Sequence, residues 1–483
     1  MSEKITSEEV KNVRPYDVAP TNQFADFMRS GWASSNLEDL QPLAVVTYAF
    51  TRRQVLSASF PNIRLIIPSG NFKTRSNDTE YVYRPHSAFA YYSGVQGADA
   101  VADSVLIMEP NAEGGHNSYL YLHPRSTRET EAFYTDRKYG ELWVGRHFTL
   151  AEANTVYQIE TRDVDKVEDL LRFSKESLLI RREDALLDKL VSVHPREAEF
   201  LTFTSEQRLV KDSYEISELE SAVDATGRGF SDVIAAMPAA AGHSRGERII
   251  EGAFFGRARL EGNDIGYTTI AAAGSHACVL HWIRNDGAVN NGELVLLDAG
   301  VEMNSYYTAD ITRTLPVNGK FSPAQRALYM LVYEAQLAGF AAVKPGANFL
   351  DVNRAAQRVL AQGLADMGVL KISAEESMQP EVGLHRRWTL HGVSHHLGLD
   401  VHDCEHARDE NYRNGVLREG MVLTVEPGLY IQPDDELFAP EYRGIGIRIE
   451  DDVVVTADGY RNLSEYIPRH PDAIEAWMAA ILK

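Results

Sequence analysis

Apolar residues in the first two fifths of the chain occur in short runs separated by polar, turn-forming segments. Runs of this kind predict β-strands, and apolar residues spaced three or four positions apart predict α-helices. The strands are predicted over residues 64–67, 104–108 and 118–122, and the helices over residues 43–59, 166–173 and 181–192. Strands that alternate with helices indicate a compact α/β unit, which we expect to end near residue 205.

The second part of the chain has longer helical patterns and clustered strand patterns. Helices are predicted over residues 213–237, 246–259, 324–343 and 351–367, and strands over residues 293–298, 421–425 and 445–456. Such grouping is typical of an α+β domain with a mainly antiparallel sheet backed by helices. We therefore expect two domains, residues 1–205 and residues 206–483, with the polar first forty residues forming an extended or helical arm.

Length and composition agree with this division. The chain has 483 residues, whereas single cores stop growing at about 250–300 residues. Its 44% of hydrophobic residues supplies enough apolar material for buried cores, which excludes a disordered or fibrous protein. No run approaches the roughly 18 apolar residues of a membrane span, and the first twenty residues lack the apolar core of a secretory signal. We expect a cytoplasmic protein that does not bind membranes.

Charge and cysteine content limit the possible functions further. The net charge of −21, from 69 acidic and 48 basic residues, argues against nucleic-acid binding, because phosphate neutralisation needs clustered lysines and arginines. Cys278 and Cys404 are far apart, which excludes a disulfide framework, a thiolate zinc site and a CxxC redox motif. Any metal ion must therefore be held by oxygen and imidazole.

One motif suggests a different chemistry. Residues 242–246 (GHSRG) fit the G-x-S-x-G pattern of a hydrolase nucleophile, but that serine works only on a sharp turn between a strand and a helix. Because the preceding residues are rich in alanine and the flanking patterns are helical, we interpret the motif as a linker between two helices.

Histidines are concentrated in one short segment. Five of the fifteen lie within sixteen residues, in the run HGVSHHLGLDVHDCEH, at His391, His395, His396, His402 and His406. A single histidine is usually structural, whereas a dense group beside glycines and aspartates more often shares a ligand or a proton path. His391 and His395 could bind zinc from one helix, but the glutamate of the HExxH motif is absent.

Carboxylates in apolar strand patterns complete this picture. Asp298 ends the run GELVLLDAG, Asp310 lies in the β-forming run of residues 306–312, and Glu426 ends the run VLTVEPG. If the strands that carry Asp298 and Asp310 pair, both carboxylates can converge on one point. In the run GIGIRIE, alternation places Arg448 and Glu450 on one face of a strand.

An acidic side chain in an apolar strand costs several kcal/mol unless it is paired or bound to a metal ion. Each of these four acids alone could simply cap a strand or pair with an arginine. Together with the histidine cluster, the four acids predict a carboxylate-rich metal site. Such ligands favour Mn²⁺, and Co²⁺, Zn²⁺ and Fe²⁺ are also compatible with them.

The runs LLDAG, ADITRT, HGVSHHLGLDVHD, VLTVEPGLY and YRGIGIRIEDD resemble the signature segments of Xaa-Pro aminopeptidases (aminopeptidase P), which are metallopeptidases with a pita-bread fold. The runs RSNDTEYVYRPHSAFAYYSG and GELWVGR resemble that family's N-terminal domain. The resemblance covers essentially the whole chain. It implies an α+β protein with a smaller α/β N-terminal domain, which mediates oligomers and narrows the cleft, and a C-terminal pita-bread catalytic domain.

The resemblance also implies roles for individual residues. The implied ligands of two divalent metal ions are Asp298, Asp310, His395, Glu426 and Glu450. The implied active-site histidines are His281, His391 and His402, and the implied substrate-binding residues are Arg448, Tyr430 and Trp143. Trp143 would pack on the substrate proline, from the same subunit or a neighbouring one. No role is implied for His396 or Cys404.

The implied activity is hydrolysis of the bond between an N-terminal residue and a following proline, by a hydroxide that bridges the two metal ions. Glu426 would take the water's proton and pass it to the leaving nitrogen, while His402 and His281 would stabilise the developing charge. His391 would orient the substrate beyond the scissile bond. The substrates would be peptides with proline at position two, and the protein would be a homodimer or homotetramer.

Two alternatives with the same fold remain. Prolidases share the metal ions and the histidines but cleave only Xaa-Pro dipeptides; the runs HGVSHHLGLDVHD and GELWVGR favour the aminopeptidase. Pita-bread proteins that only bind partners, and creatinase-like hydrolases without metal, lack metal ligands, whereas all five are present in this chain.

Overall fold

The computed structural model describes residues 21–33, 37–173 and 175–483. The predicted N-terminal arm lies largely outside these residues, and its described part contains one short helix. The elements of the first part of the chain are α1 (Asn22–Met28), α2 (Val46–Ser59), β1 (Arg64–Pro68), β2 (Thr74–Ser76), β3 (Thr79–Glu80), α3 (Ser87–Ser93), β4 (Val105–Pro110), β5 (His116–Leu122), α4 (Ala132–Thr135), α5 (Glu141–Val144), α6 (Leu150–Tyr157), β6 (Glu160–Asp163), α7 (Val167–Leu171), β7 (Ser177–Leu179), α8 (Ala185–Leu190) and α9 (Glu197–Glu206).

Five of these strands form a mixed sheet in the order β6-β5-β4-β1-β7. Strand β1, which lies between β4 and β7, is buried along its whole length, because both faces of the sheet are covered. Leu65 and Ile67 pack into the large core on one face, whereas Ile66 packs against Leu179 and Leu187 on the other. The continuous apolar run that predicted this strand is therefore a consequence of burial on both sides.

The second part of the chain has longer helices and several small sheets. Its elements are α10 (Ser213–Ala240), α11 (Gly246–Glu261), β8 (Asp264–Ile265), β9 (Ile270–Ala273), β10 (Leu294–Ala299), β11 (Val301–Glu302), β12 (Ile311–Pro316), α12 (Pro323–Ala342), α13 (Phe349–Asp366), α14 (Ala374–Ser377), β13 (Val422–Val425), β14 (Gly428–Tyr430), β15 (Gly446–Arg448), β16 (Asp451–Val455), β17 (Tyr460–Asn462) and α15 (Pro471–Ile481).

The strands of this part pair in an antiparallel manner, as predicted. The sheets are β12-β10-β9, β13-β16-β17, β14-β15 and β11-β8. Helix α10 packs against α11, and α12 packs against α13. The GHSRG motif lies between α10 and α11 with Ser244 exposed, so its interpretation as a helix linker is confirmed.

Two predicted strands differ from the observed ones. The strand predicted over residues 445–456 is two strands, because β15 pairs with β14 whereas β16 pairs with β13. Ile449 and Glu450, where the chain changes its partner strand, belong to neither strand. Of the run of residues 306–312, only Ile311 and Thr312 belong to a strand, β12. Tyr306 has φ +69°, which interrupts an extended backbone.

Ion pairs and hydrogen bonds join residues that precede α10 to the histidine-rich segment. Lys211 Nζ lies 2.9 Å from Asp403 Oδ2, and both side chains are almost fully buried. Arg84 donates to Glu302 Oε2 (2.6 Å) and to the carbonyl oxygen of Leu399 (2.5 Å). One apolar core includes residues of both parts, and the division after residue 205 stays a prediction. Among the described residues, no helix combines the length and the apolarity that crossing a bilayer requires.

Candidate metal centre

The pairing of β10 with β12 brings two carboxylates together. Asp298 lies opposite Thr312 in the antiparallel register, so that Asp310, two residues before Thr312, points to the same face. The hydroxyl of Tyr267 lies 2.6 Å from Asp298 Oδ1 and 2.5 Å from Asp310 Oδ1. Both aspartates thus lie within hydrogen-bond distance of one hydroxyl. This agrees with the prediction that pairing of the two strands lets their carboxylates converge.

A second strand pair delivers two glutamates. Glu426 directly follows β13 and Glu450 directly precedes β16, and these strands pair with Val425 opposite Asp451. Their carboxylates therefore leave the sheet at the same end. Glu450 Oε2 accepts a hydrogen bond from Thr312 Oγ1 (2.6 Å), which links this pair to the strand that follows Asp310.

His395 is fixed beside these acids by backbone hydrogen bonds. Its N–H donates to Thr424 Oγ1 (3.1 Å), and the N–H of Thr424 donates to its carbonyl oxygen (2.9 Å). Its Nε2 atom lies 3.2 Å from Asp310 Oδ2 and 3.6 Å from Glu426 Oε1. One ligand atom from each of Asp310, His395 and Glu450 lies within 4.8 Å of the others, which is close enough to share an ion.

Burial and mutual repulsion shift the pKa values of the carboxylates upwards. Burial raises the pKa of Glu426 to about 8, although the neighbouring His395 opposes the shift. The pKa of Glu450 lies well above its usual value because the side chain is buried and Asp310 adds a like charge. The pKa of Asp298 is also raised by burial, against the opposing effect of Arg448. The site therefore contains more negative charge than its cationic side chains neutralise.

The imidazole of His395 responds in the opposite sense. Burial alone would lower its pKa, but the hydrogen bond with Asp310 and the charges of Glu426 and Asp310 raise it to about 9. In the absence of a metal ion, a proton on this ring would supply part of the missing positive charge. The donor set is thus one that a bound cation would satisfy.

These side chains line a cavity of about 460 Å³. Four other residues that were predicted to belong to the active site line the same cavity as the five ligand candidates. They are His281, His391, His402 and Arg448.

Arg448 connects the ligand candidate Asp298 to Tyr430, another predicted substrate-binding residue. Its guanidinium forms an ion pair with Asp298 and donates to the Tyr430 hydroxyl (2.9 Å) and to Thr312 Oγ1 (3.2 Å). The same Tyr430 hydroxyl lies 2.8 Å from His391 Nε2. Burial and the charge of Arg448 lower the pKa of His391 to about 4, so this ring is neutral near pH 7.

Gly428 keeps space for this network. A Cβ atom there would collide with the Tyr430 hydroxyl and lie 2.9 Å from His391 Nε2. The glycine after Glu426 and Pro427 is thus required by close packing beside the cavity.

Comparison with known proteins agrees with this geometry. The family model of metallopeptidase family M24 matches residues 217–457, and that of the aminopeptidase P N-terminal domain matches residues 49–179. Xaa-Pro aminopeptidase 1 of Streptomyces coelicolor is 52% identical over 467 residues, which are 95% of this chain and 93% of the relative. The chain belongs to the Xaa-Pro aminopeptidase family. Xaa-Pro aminopeptidase of Escherichia coli is 34% identical over 459 residues, 89% of this chain and 97% of that one.

Solved structures of aminopeptidase P are similar to most of this chain. Zn-substituted E. coli aminopeptidase P in complex with product has a TM-score of 0.79 at 32% identity and covers 92% of this chain and 100% of its own. Proline aminopeptidase P II from Yersinia pestis has a TM-score of 0.77 at 34% identity, covering 90% and 99%. The predicted α+β fold with an aminopeptidase P-type N-terminal domain and a metallopeptidase domain is confirmed, and the chain is a peptidase.

Of the residues that the family resemblance implied, Trp143 lies apart from the cavity. Its indole N–H donates to the carbonyl oxygen of Tyr134 (2.7 Å), and the guanidinium carbon of Arg137 lies 4.0 Å from its ring centroid. The side chain is 47% exposed. The predicted contact between Trp143 and a substrate proline would therefore require the proline to be bound in the cavity of a neighbouring subunit. This contact stays a prediction.

Three residues that contact the ligand candidates were not predicted from the sequence. Tyr267 bridges Asp298 and Asp310 from positions 31 and 43 residues away, a separation at which no local pattern connects them. Asp452 accepts a hydrogen bond from the backbone N–H of Asp310 (3.0 Å). Thr312 could have been found, because it lies two residues after Asp310 and so on the same face of the strand.

Proposed function

We propose that this chain is a dinuclear-metal aminopeptidase that removes the N-terminal residue from peptides whose second residue is proline. The observation that carries the proposal is the convergence of four carboxylates and one imidazole on a cavity that three further histidines also line. Membership of the Xaa-Pro aminopeptidase family supports the same activity, because relatives of that name match almost the whole chain.

The donor set fits divalent metal ions. Asp298, Asp310, His395, Glu426 and Glu450 would hold them, and the four carboxylates would balance the charge of two such ions. Oxygen donors with a single imidazole favour Mn²⁺, and Co²⁺, Zn²⁺ and Fe²⁺ are compatible with the same ligands. Two ions in this site would lower the pKa of a water between them and polarise the peptide carbonyl, which allows hydrolysis near neutral pH.

Glu426 is the proposed proton carrier. Its carboxylate lines the cavity beside His395, and His391 Nδ1 lies 3.5 Å from its second oxygen. From this position it can take the proton of the attacking water and give it to the leaving nitrogen of proline.

His281 and His402 are proposed to stabilise the charge that develops on the carbonyl oxygen. Both line the cavity, and the ring of His402 lies 4.6 Å from that of His395. Burial and the neighbouring His395 lower the pKa of His402. A neutral imidazole keeps one N–H to donate to an oxyanion.

Selection of the substrate would use both ends of the cavity. Asp298, held by Arg448, would accept hydrogen bonds from the free amino group, while His391 and Tyr430 would contact the peptide beyond the scissile bond. The Xaa-Pro bond has no N–H, so an enzyme that cleaves it must not depend on that donor. In a homodimer or homotetramer, Trp143 of a second subunit would recognise the proline ring through its aromatic face.

The substrate range is tested by comparing peptides that differ only in length and in their second residue. With Mn²⁺ bound, we expect a higher kcat/KM for Ala-Pro-Ala than for Ala-Pro, and no measurable hydrolysis of Ala-Ala-Ala. Cleavage restricted to Ala-Pro would identify a prolidase instead. Equal rates for Ala-Pro-Ala and Ala-Ala-Ala would refute the selection of proline.

Replacing Tyr267 by phenylalanine is expected to weaken metal binding. The substitution removes the hydroxyl that lies between Asp298 and Asp310, and loss of an outer partner of metal ligands typically costs about 10–100-fold in metal affinity or activity. The measurement is the metal retained per chain at increasing chelator concentration. The matched control is Tyr329→Phe, which removes a buried hydroxyl that donates to the carbonyl oxygen of Arg469 (2.9 Å). Equal metal retention in Tyr267→Phe and the unmodified protein would contradict the expectation.

A further inference from the structure

His281 reaches the cavity of the candidate metal centre from a loop that follows β9, residues 274–287, which we refer to as the His281 loop. The tip of this loop lies at the surface, with Val279 and Ile283 exposed on either side of the histidine. The His281 side chain forms no hydrogen bond or ion pair with the described residues. The position of its ring is therefore set by the backbone of the loop and by the contacts that fix that backbone.

Glu247, in the first turn of α11, fixes both ends of the His281 loop. Its buried carboxylate accepts a hydrogen bond from the backbone N–H of Ala273 (2.8 Å), the last residue before the loop, and from that of Gly287 (2.6 Å), the last residue in it. A carboxylate has two oxygens that only accept, so it can hold several N–H groups at one point. Hydrogen bonds to such a group are also among the stronger ones in proteins.

The same carboxylate contacts the middle of the loop through two stacked rings. Trp282 Nε1 donates to Glu247 Oε2 (2.9 Å), and His276 Nδ1 lies 2.8 Å from Glu247 Oε1. The two rings stack with their centroids 3.8 Å apart and an angle of 22° between their planes. Gly287 leaves space for this stack, because a Cβ atom there would lie 2.5 Å from His276 Cε1. Since Trp282 directly follows His281, these contacts fix the backbone beside the active-site histidine.

Asn285 anchors the loop independently of this carboxylate. Its buried side chain accepts a hydrogen bond from the backbone N–H of Ala271 (2.9 Å) and donates to the carbonyl oxygen of Thr269 (2.8 Å). The end of the loop is thereby bound to β9 and to the residue just before it. Loss of the Glu247 carboxylate should therefore displace the tip that carries His281 without releasing the whole loop.

The ligand candidates of the metal centre do not share these contacts. Neither Glu247 nor Trp282 lines the cavity, and none of the five ligand candidates belongs to the His281 loop. A change at Glu247 should therefore reach the reaction through His281 and leave metal binding intact.

We propose that Glu247 is a positioning residue, which holds His281 where negative charge develops on the carbonyl oxygen of the substrate. The proposal rests on the proposed function, in which His281 stabilises that charge. A displacement of about 1 Å can cost about a hundredfold in rate, because the donor must meet the oxygen at hydrogen-bond distance. The loss should appear in kcat more than in KM, since the interaction forms in the transition state.

The test measures kcat, KM and metal content of the Mn²⁺-loaded full chain on Ala-Pro-Ala. Glu247→Gln keeps the size of the side chain but replaces one acceptor by a donor, and we expect kcat to fall by about tenfold to a hundredfold while KM changes less than about threefold. In a His281→Ala background the same substitution should change kcat less than about twofold, because the residue that it positions is gone.

Two further variants complete the test. Trp282→Phe removes a single donor to Glu247 and keeps an aromatic ring, so it decides the question if Glu247→Gln does not fold; kcat should fall by about threefold to tenfold, and again only when His281 is present. The matched control is Glu475→Gln on α15, whose carboxylate accepts the backbone N–H of Phe321 (3.1 Å) and does not line the cavity. Its kcat should stay within about twofold of that of the unmodified chain.

Several results would overturn the proposal. An unchanged kcat in folded Glu247→Gln would show that His281 needs no such support. An equal loss with and without His281 would assign the effect to another part of the site, and a loss that excess Mn²⁺ reverses would assign it to the metal centre. Failure of the unmodified chain to cleave Ala-Pro-Ala would refute the proposed function itself, and the role of Glu247 with it.

Discussion

Removal of divalent metal ions is expected to abolish hydrolysis of Xaa-Pro-Yaa peptides, and Mn²⁺ is expected to restore it. Four carboxylates line one cavity, while the adjacent arginine, Arg448, is already ion-paired with Asp298. Without cations, burial raises the pKa of Glu426 to about 8 and that of Glu450 well above its usual value, so these groups bind protons instead. The loss should be complete rather than partial, because in the proposed reaction the ions would supply the Lewis acidity.

The measurement combines metal analysis with kinetics. Dialysis against a chelator should reduce both the metal content and the rate on Ala-Pro-Ala, and Mn²⁺ should restore the rate as the content reaches two ions per chain. Dialysis against chelator saturated with Mn²⁺ is the control for the treatment itself. The midpoint of thermal unfolding should rise when Mn²⁺ is added, because a ligand of the native state stabilises it. Full activity with less than one ion per chain would refute a metal-dependent mechanism.

The ligand candidates could be recognised in the sequence because their local pattern is unusual. Asp298 and Glu426 each follow a run of buried apolar residues, where an unpaired carboxylate would be costly. Alternation placed Arg448 and Glu450 on one face and Ile447 and Ile449 on the other; the first two line the cavity, and the two isoleucines lie in the core. In each of these cases the information lies within five or six consecutive residues, which is the range over which strand periodicity acts.

Features that depend on distant partners could not be predicted in this way. The break between β15 and β16 exists because the chain changes partner strands, and neither strand's own pattern records which strand it pairs with. The bridging hydroxyl of Tyr267 and the acceptor Asp452 belong to segments far from Asp310 in the sequence.

Replacing His395 by alanine is expected to lower kcat/KM for Xaa-Pro-Yaa peptides by more than about a hundredfold, since losing even an outer partner of a metal ligand costs about 10–100-fold. His395 is the single imidazole among the five ligand candidates, and its Nε2 lies 3.2 Å from Asp310 and 3.6 Å from Glu426. We expect the loss to appear in kcat together with a reduced metal content, both measured on protein whose fold is verified by circular dichroism.

The neighbouring histidine provides a matched control for this variant. His396 points into the core, where its ring stacks on Phe349 at a centroid distance of 5.0 Å and meets the edge of Tyr412 at 4.6 Å. Its burial lowers its pKa to about 3, so the ring is neutral and acts through packing. His396→Gln should therefore lower stability but keep kcat/KM within about tenfold, as a packing change does. Because the two positions are adjacent, damage to the segment would affect both variants alike, and equal losses in two folded variants would refute the assignment of His395 as a ligand.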